Sequence, residues 1–278
     1  MVTLVIKAIY SLVLVVIVYV FLYIALYKIP WIGEWLLNKG REWAGMPLEN
    51  MGLLLRLDEN SGDQPGTKVP DSSGWNNHGT FGTYPPTWGA GTATTIWSGS
   101  LVFDGVDDYL EVGKDAKSPE RLNPSNITID FWFKLLSPPD PGCWRNIMNK
   151  GTTDPSYQVI LTDELLIIVR FKINGVEKSL KSNGFVGVKP SRGTHIAVTY
   201  DSSGMAKIFI NGLEDKKEKI DPGGIDSNTN PLRIGNLNDN PSPCPTSGGP
   251  PNAVIDEIRI YDRALSNEEI ISHYQNLY

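Results

Sequence analysis

Few side chains in this sequence are suited to bond-making chemistry. Two cysteines, Cys143 and Cys244, and three histidines, His78, His195 and His273, make up the whole stock of soft or imidazole groups. Zinc sites pair such ligands at short fixed spacings, and serine hydrolases set their nucleophile in a tight turn. No C-x-x-C, H-E-x-x-H, G-x-S-x-G or G-x-x-x-x-G-K-[ST] occurs. The adjacent carboxylates Asp107-Asp108 and Asp256-Glu257 point to opposite faces of a strand and cannot share a substrate. The run from Asp226 through Asn228 to Asn230 opens like a calcium loop, but Pro231 stands where that loop needs Gly. It reads as a turn. Recognition chemistry is better supplied. A sugar ring stacks on an exposed aromatic plate beside amides or carboxylates, and Trp144 and Tyr157 are the candidate plates. Asn236, Asn238 and Asp239 are their candidate polar partners.

These groups must be positioned by short strands. In the segment 127–134, Ile127, Ile129, Phe131 and Phe133 alternate with Thr128, Asp130, Trp132 and Lys134, the period of a half-buried strand. Asn174-Gly175 and Asn211-Gly212 each separate two strand-like runs and predict two-residue hairpins, because both positions favour left-handed backbone. Asp201 to Gly204 joins two more. Repeated turns of this kind over residues 51–278 predict antiparallel meanders folded into two packed sheets. The last segment reads as a helix, opened by the capping box Ser266–Glu269, with Ile270, Tyr274 and Leu277 on one face. It is expected to cover one end of the sandwich.

The two ends of the chain differ in character. Of 278 residues, 25 are Lys or Arg and 31 Asp or Glu, a net charge of −6, which argues against nucleic acid as a partner. The first 50 residues carry +1 and the remainder −7. Ala8 to Tyr27 is twenty residues without a charge, long enough at about 1.5 Å per residue to cross a bilayer core of roughly 30 Å. Lys7 and Lys28 flank it. A cleaved signal peptide is disfavoured, since the run exceeds an h-region of roughly 7–15 residues and no A-x-A site follows. We therefore expect a transmembrane signal-anchor helix over 1–28, in contact with membrane lipid through 8–27. A juxtamembrane amphipathic neck over 29–50 follows, with Trp31, Trp35 and Trp43 toward the headgroups. The alternative for this end is packing against other subunits, which would make the protein a homo- or hetero-oligomer. The basic flank favours a cytoplasmic body. The even cysteine count and the sequon Asn126-Ile127-Thr128, a glycosylation acceptor, favour an extracytoplasmic one, which is the expectation adopted. Cys143 and Cys244 lie in Pro-rich loops. Either they are two thiols, or they form a disulfide closing roughly 100 residues, worth roughly 4–5 kcal/mol in loop-entropy models.

Several segments in order, SLVFDGVDDYLEV, NITIDFWFK, GTHIAVTYD, KIFINGLE, LRIGN and AVIDEIRIYDRALSNEEI, resemble the laminin-G-like domains of the concanavalin A-like lectin/glucanase superfamily. The resemblance implies an all-β jelly-roll sandwich of two antiparallel sheets and about a dozen strands over 51–278. It implies structural roles for Trp132 and His195. It also implies calcium, with Asp71, Asn76, Asp107 and Asp256 at the matching positions; the alternative is that Asp71 closes a turn and Asp256 a strand edge. The glucanase branch carries E-x-D-x-x-E, and no Glu here has Asp two residues on, so a glycoside hydrolase is the weakest reading. The expected function is a membrane-anchored, non-catalytic recognition or adhesion module for a glycan or a surface protein. The alternative is a structural subunit of a membrane or filament-like assembly.

Overall fold

The computed structural model describes residues 50–57, 68–90, 99–113, 119–188, 193–237 and 248–275. The chain divides into two compact units, Met1–Glu49 and Asn50–Tyr278. The expected membrane span and neck lie outside the described residues, among which no helix is long and apolar enough to cross a membrane.

The described body is an all-β sandwich. Its strands are β1 (Met51–Leu55), β2 (Lys68–Val69), β3 (Gly79–Phe81), β4 (Thr87–Ala90), β5 (Gly99–Asp104), β6 (Tyr109–Val112), β7 (Ile127–Leu135) and β8 (Arg145–Lys150). They continue as β9 (Tyr157–Leu161), β10 (Ile167–Ile173), β11 (Val176–Lys181), β12 (Thr194–Tyr200), β13 (Met205–Ile210), β14 (Leu213–Lys219), β15 (Leu232–Gly235) and β16 (Asn252–Tyr261). One 3-10 turn, Pro119–Leu122, and one helix, α1 (Asn267–Gln275), complete the set. The first sheet runs β14-β13-β12-β7-β16-β5-β4, with β1 also on β16; the second runs β11-β10-β9-β8-β15-β6-β3-β2. Every strand pairing is antiparallel, as expected.

Alternation decides which side chains meet between the sheets. Ile127, Ile129, Phe131 and Phe133 of β7 and Ile196, Val198 and Tyr200 of β12 enter the core from the first sheet. Tyr157, Val159 and Leu161 of β9 and Val169 and Phe171 of β10 enter it from the second. The period-2 alternation of β7 is therefore the observed one, but the strand is buried on both faces and not on one, with Thr128 and Asp130 at 0% exposure. Asn174 (φ 51°) with Gly175 (φ 76°), and Asn211 (φ 53°) with Gly212 (φ 78°), take the left-handed backbone that their hairpins require.

The long strand β16 changes neighbours midway. Its residues 252–255 pair with β5, whereas Ile258 to Tyr261 pair with β1. A bulge at Asp256–Glu257 makes the change, with Glu257 at φ 50° and its amide donating to Asp256 Oδ1 at 2.8 Å.

The capping box is present: Ser266 N donates to Glu269 Oε2 at 2.8 Å and Glu269 N to Ser266 Oγ at 3.3 Å. The helix does not close an end of the sandwich, however. It lies on the outer face of the first sheet, where Tyr274 stacks on Trp132 at 5.9 Å between centroids. Trp132, only 2% exposed, supplies the flat apolar surface that draws it there.

Candidate functional site

Two outer faces could carry function, and both present polar side chains by strand alternation. On the first sheet, Asp130 of β7 sits beside His195 of β12 and Arg259 of β16. His195 Nε2 is 3.1 Å from Asp130 Oδ1, Arg259 Nη1 donates to the same oxygen at 3.3 Å, and His273 Nδ1 of α1 lies 2.6 Å from Oδ2. Arg259 Nη2 in turn holds Glu257 Oε2 at 2.5 Å. Burial alone would push the Asp130 carboxyl up; the imidazoles of His195 and His273 reverse this and hold it well below the usual carboxylate range. Burial likewise opposes the Arg259 charge, and Glu257 and Asp130 restore it. An Asp between two imidazoles has the make-up of a proton-transfer site, but this one is sealed. Asp130 and His195 are both 0% exposed beneath α1, so no substrate reaches them. The structural role expected for His195 and Trp132 is what the geometry shows, and the cluster serves to fasten the helix.

The outer face of the second sheet, which no helix of the described residues roofs, carries a depression of about 200 Å³, lined among others by Trp144, Asn146, Thr152, Gln158, Arg170 and Glu177. Strand pairing builds it: Asn146 of β8 opposes Ile160 of β9, and Gln158 opposes Arg170 of β10. Gln158 Nε2 donates to Asn146 Oδ1 at 3.0 Å, and Asn146 Nδ2 donates to Gly235 O at 2.6 Å, fixing both amides. Trp144 projects from the turn before β8, set by Cys143 N to Asp140 O (3.0 Å), and stands 5.7 Å from the Arg170 guanidinium. Leu237 N donates to Gly248 O at 2.8 Å and these two residues complete the wall.

Of the expected recognition residues, Trp144 lies in this depression. Tyr157 does not. It is 0% exposed, faces the core with Val159 and Leu161, and its hydroxyl donates to Leu122 O at 3.1 Å. Burial pushes its phenol pKa up, and it cannot serve as a plate. Asn236 is likewise 0% exposed, with its amide N on Asp108 O at 2.8 Å, so it is a structural residue. Asn238 and Asp239 lie outside the described residues. Sequence reasoning missed Asn146, Gln158, Arg170 and Glu177, which sit at ordinary polar positions of their strands.

Asp71, Asp107 and Asp256, three of the expected calcium positions, do not group as a carboxylate triad among the described residues. Asp71 spends both oxygens on its own loop: Oδ1 accepts from Leu54 N (3.0 Å) and Ser73 N (2.9 Å), Oδ2 from Ser73 Oγ (2.7 Å) and Asn77 N (2.8 Å). That is the turn alternative. Asn76 is exposed at φ 58°, and Asp256 is 1% exposed at the β16 bulge. Asp107 groups instead with Asp104 and Asp108, their nearest oxygens within 4.8 Å of one another, the one such triad among the described residues. Burial, with the charges of Asp104 and Asp107, raises the Asp108 carboxyl to about 7. The Asp226–Asn230 turn holds a cation of the chain's own. Lys150 Nζ reaches Asn228 Oδ1 (3.1 Å), Asn228 O (3.1 Å) and Asn230 O (2.5 Å), and burial lowers its pKa to about 8.

Cys143 is 3% exposed and no cysteine among the described residues is free; Cys244 lies outside them. Asn126 is half-buried with Oδ1 accepting from Ser202 N at 2.6 Å, and Thr128 of its sequon is buried.

Two packed antiparallel sheets with a depression on the outer face of the second make a lectin-like sandwich. The chain belongs to the Laminin_G_3 family of the concanavalin A-like lectin/glucanases superfamily, whose model matches residues 104–271. No curated protein matches it. Among solved structures, the binding domain of Paraclostridial Mosquitocidal Protein 1 is similar with a TM-score of 0.60 and 20% identity, over 81% of this chain and 52% of that one. The botulinum neurotoxin type G receptor binding domain gives a TM-score of 0.58 and 19% identity over 82% and 51%. A structure of botulinum neurotoxin type C, whose cell entry is dependent upon interaction with two ganglioside molecules, gives 0.60 and 15% over 82% and 52%. At these identities the likeness is one of fold, and this chain spans about half the length of those domains.

Proposed function

We propose that this protein is a non-catalytic recognition module that binds a glycan in the Trp144 depression. The observation that carries the reading is the half-buried indole beside two mutually fixed amides, a hydroxyl-bearing loop and a guanidinium, on a sheet face that no helix of the described residues roofs. The similar structures are receptor-binding domains, one described as entering cells through gangliosides, which fits the same class of role. Their ganglioside contacts belong to longer chains, of which the match covers about half, and are not assigned to that half.

The same proposal places residues 8–27 in a membrane and displays the sandwich on its extracytoplasmic side. A disulfide between Cys143 and Cys244 would suit that side and tie the turn below Trp144 to the segment between Leu237 and Gly248. Calcium belongs here too, as a stabilising ion for an acidic body. Both are read from thermal midpoints of the full chain in detergent micelles. Reduction lowers the midpoint if the bridge exists, and chelation lowers it if calcium binds, an effect that Asp107→Asn removes.

The binding test is a glycan array probed with the detergent-solubilised chain. Binding is expected and is lost, by roughly tenfold or more, in Trp144→Ala, as removal of a stacked plate worth about 1–2 kcal/mol predicts. An array on which Trp144→Ala binds like the wild type ends the reading.

A further inference from the structure

The arginine of the depression differs from four of the arginines that meet acids and resembles Arg145, whose contact with Asp140 is 4.0 Å long. Arg121, Arg233 and Arg263 each hold a carboxylate at 2.7 Å, and Arg259 holds one at 2.5 Å. Arg170 makes no such bond. Its one ionic contact is Nε to Glu177 Oε1 at 3.6 Å, beyond hydrogen-bond range, with the side chains 30% and 56% exposed. Among the described residues the edge formed by its two terminal nitrogens holds no carboxylate, and the guanidinium carbon lies over the Trp144 ring at 5.7 Å from its centroid. That edge is the one which receives a carboxylate or sulfate through two parallel hydrogen bonds.

We propose that the Trp144 depression takes a terminal sugar bearing an acidic group, the anion seated on Arg170 and the ring on Trp144; this rests on the glycan-binding reading above. The volume, about 200 Å³, falls below the roughly 300 Å³ at which sites for larger ligands begin, so it suits one ring at a chain end. Gln158 Nε2 is committed to Asn146, which leaves its carbonyl oxygen as an acceptor for a sugar hydroxyl. Glu177 is the other charged group in the lining and sits on the edge strand β11. Toward an anionic ligand it is a weak internal competitor for the guanidinium, and an exposed pair of this kind holds by only about 0–1 kcal/mol. Toward a neutral sugar it would be an acceptor for hydroxyls. The two ligand classes therefore predict opposite signs for its removal.

The experiment measures binding of the full chain in detergent micelles to lactose, sialylated lactose and sulfated lactose, with thermal midpoints of each variant as a check on folding. The acidic sugars are expected to bind about tenfold or more tighter than lactose, the gain of a charge-assisted pair. Arg170→Gln should erase that preference, and Arg170→Lys should keep only part of it, because an ammonium cannot bind with two parallel bonds. Glu177→Gln should tighten acidic binding by about twofold to fivefold. Comparison of the sialylated and sulfated arms tells a carboxylate from a sulfate. Lactose binding as well as its acidic forms, with Glu177→Gln weakening all three, overturns the acidic ligand and leaves the glycan reading standing. Binding by no sugar, or binding indifferent to Trp144→Ala, overturns the reading beneath it.

Discussion

The outer faces of the two sheets treat charge in opposite ways. On the first, an aspartate, two histidines, an arginine and a glutamate are drawn together at 2.5–3.3 Å and roofed by a helix. On the second, one arginine and one glutamate stand 3.6 Å apart in the open. Judged by residue type, the first looks like an active site and the second like an ordinary solvated pair. Access reverses the judgement. A cluster sealed beneath a helix offers a ligand no way in, even though His195 Nδ1 has no hydrogen-bond partner, whereas a half-exposed guanidinium near an indole can be reached.

The comparison is broken most severely at Asp130. Asp130→Asn keeps the shape but leaves Arg259 with Glu257 alone and removes the charge that His195 and His273 face. Breaking a buried ionic cluster costs about 3–5 kcal/mol, which at this size lowers the thermal midpoint by roughly 10 °C. The loss should depend on pH in a defined sense. The Asp130 carboxyl is held well below its ordinary value of 3.8 in the folded state, so its contribution is complete above that value and disappears as pH falls through the depressed folded one. Thermal melts of both proteins from pH 7 downward should show the gap constant to about pH 4 and closing below it. A gap that is small at pH 7 would mean that Trp132 and Tyr274, not the charges, fasten the helix.

The open pair should behave in the contrary way. Glu177→Gln, and Arg170→Gln with it, should change the midpoint by less than about 2 °C, since exposed pairs contribute about 0–1 kcal/mol. The same substitutions are the ones expected to move ligand binding. A large fall in stability in either would show the pair to be a structural element, and the two faces would then be alike in kind.

How much of this contrast was legible in the sequence follows from which interactions are local. The Asn-Gly hairpins were legible because their turn demands left-handed backbone at adjacent positions, and the Ser266–Glu269 box because its partners are three residues apart. The β7 stripe followed from period 2 alone. That same period held the correct reading of Tyr157, which shares parity with Val159 and Leu161 and so belongs in the core; its ring suggested an exposed plate that alternation denied. The Asp130 cluster joins residues up to 143 positions apart and has no sequence signature. Arg170 and Gln158 meet only because β9 and β10 pair in one register. Asp71 was read from the family as a metal position, and its loop role was hidden because one of its four bonds reaches Leu54, 17 residues away.

A smaller effect sharpens the contrast from a third place. Lys150 is buried like Asp130 but is matched by neutral oxygens of Asn228 and Asn230, not by a counter-charge. Burial lowers its pKa to about 8 from an ordinary 10.5, so the unfolded chain binds this proton more tightly than the folded one between those values. Stability from this group therefore rises as pH increases from about 8 to about 10, the reverse of what a lysine held by a buried carboxylate gives. Lys150→Met loses three hydrogen bonds and melts lower at every pH, yet it should lack that rise. The difference between the two melting curves should grow with pH by about 2 °C, the shift that about 1 kcal/mol produces at this size. A difference that stays flat would mean that the amine keeps its proton, held by the turn's three oxygens as tightly as Asp130 is held by its imidazoles. Charge without a counter-charge would then be sustained here by carbonyl dipoles alone.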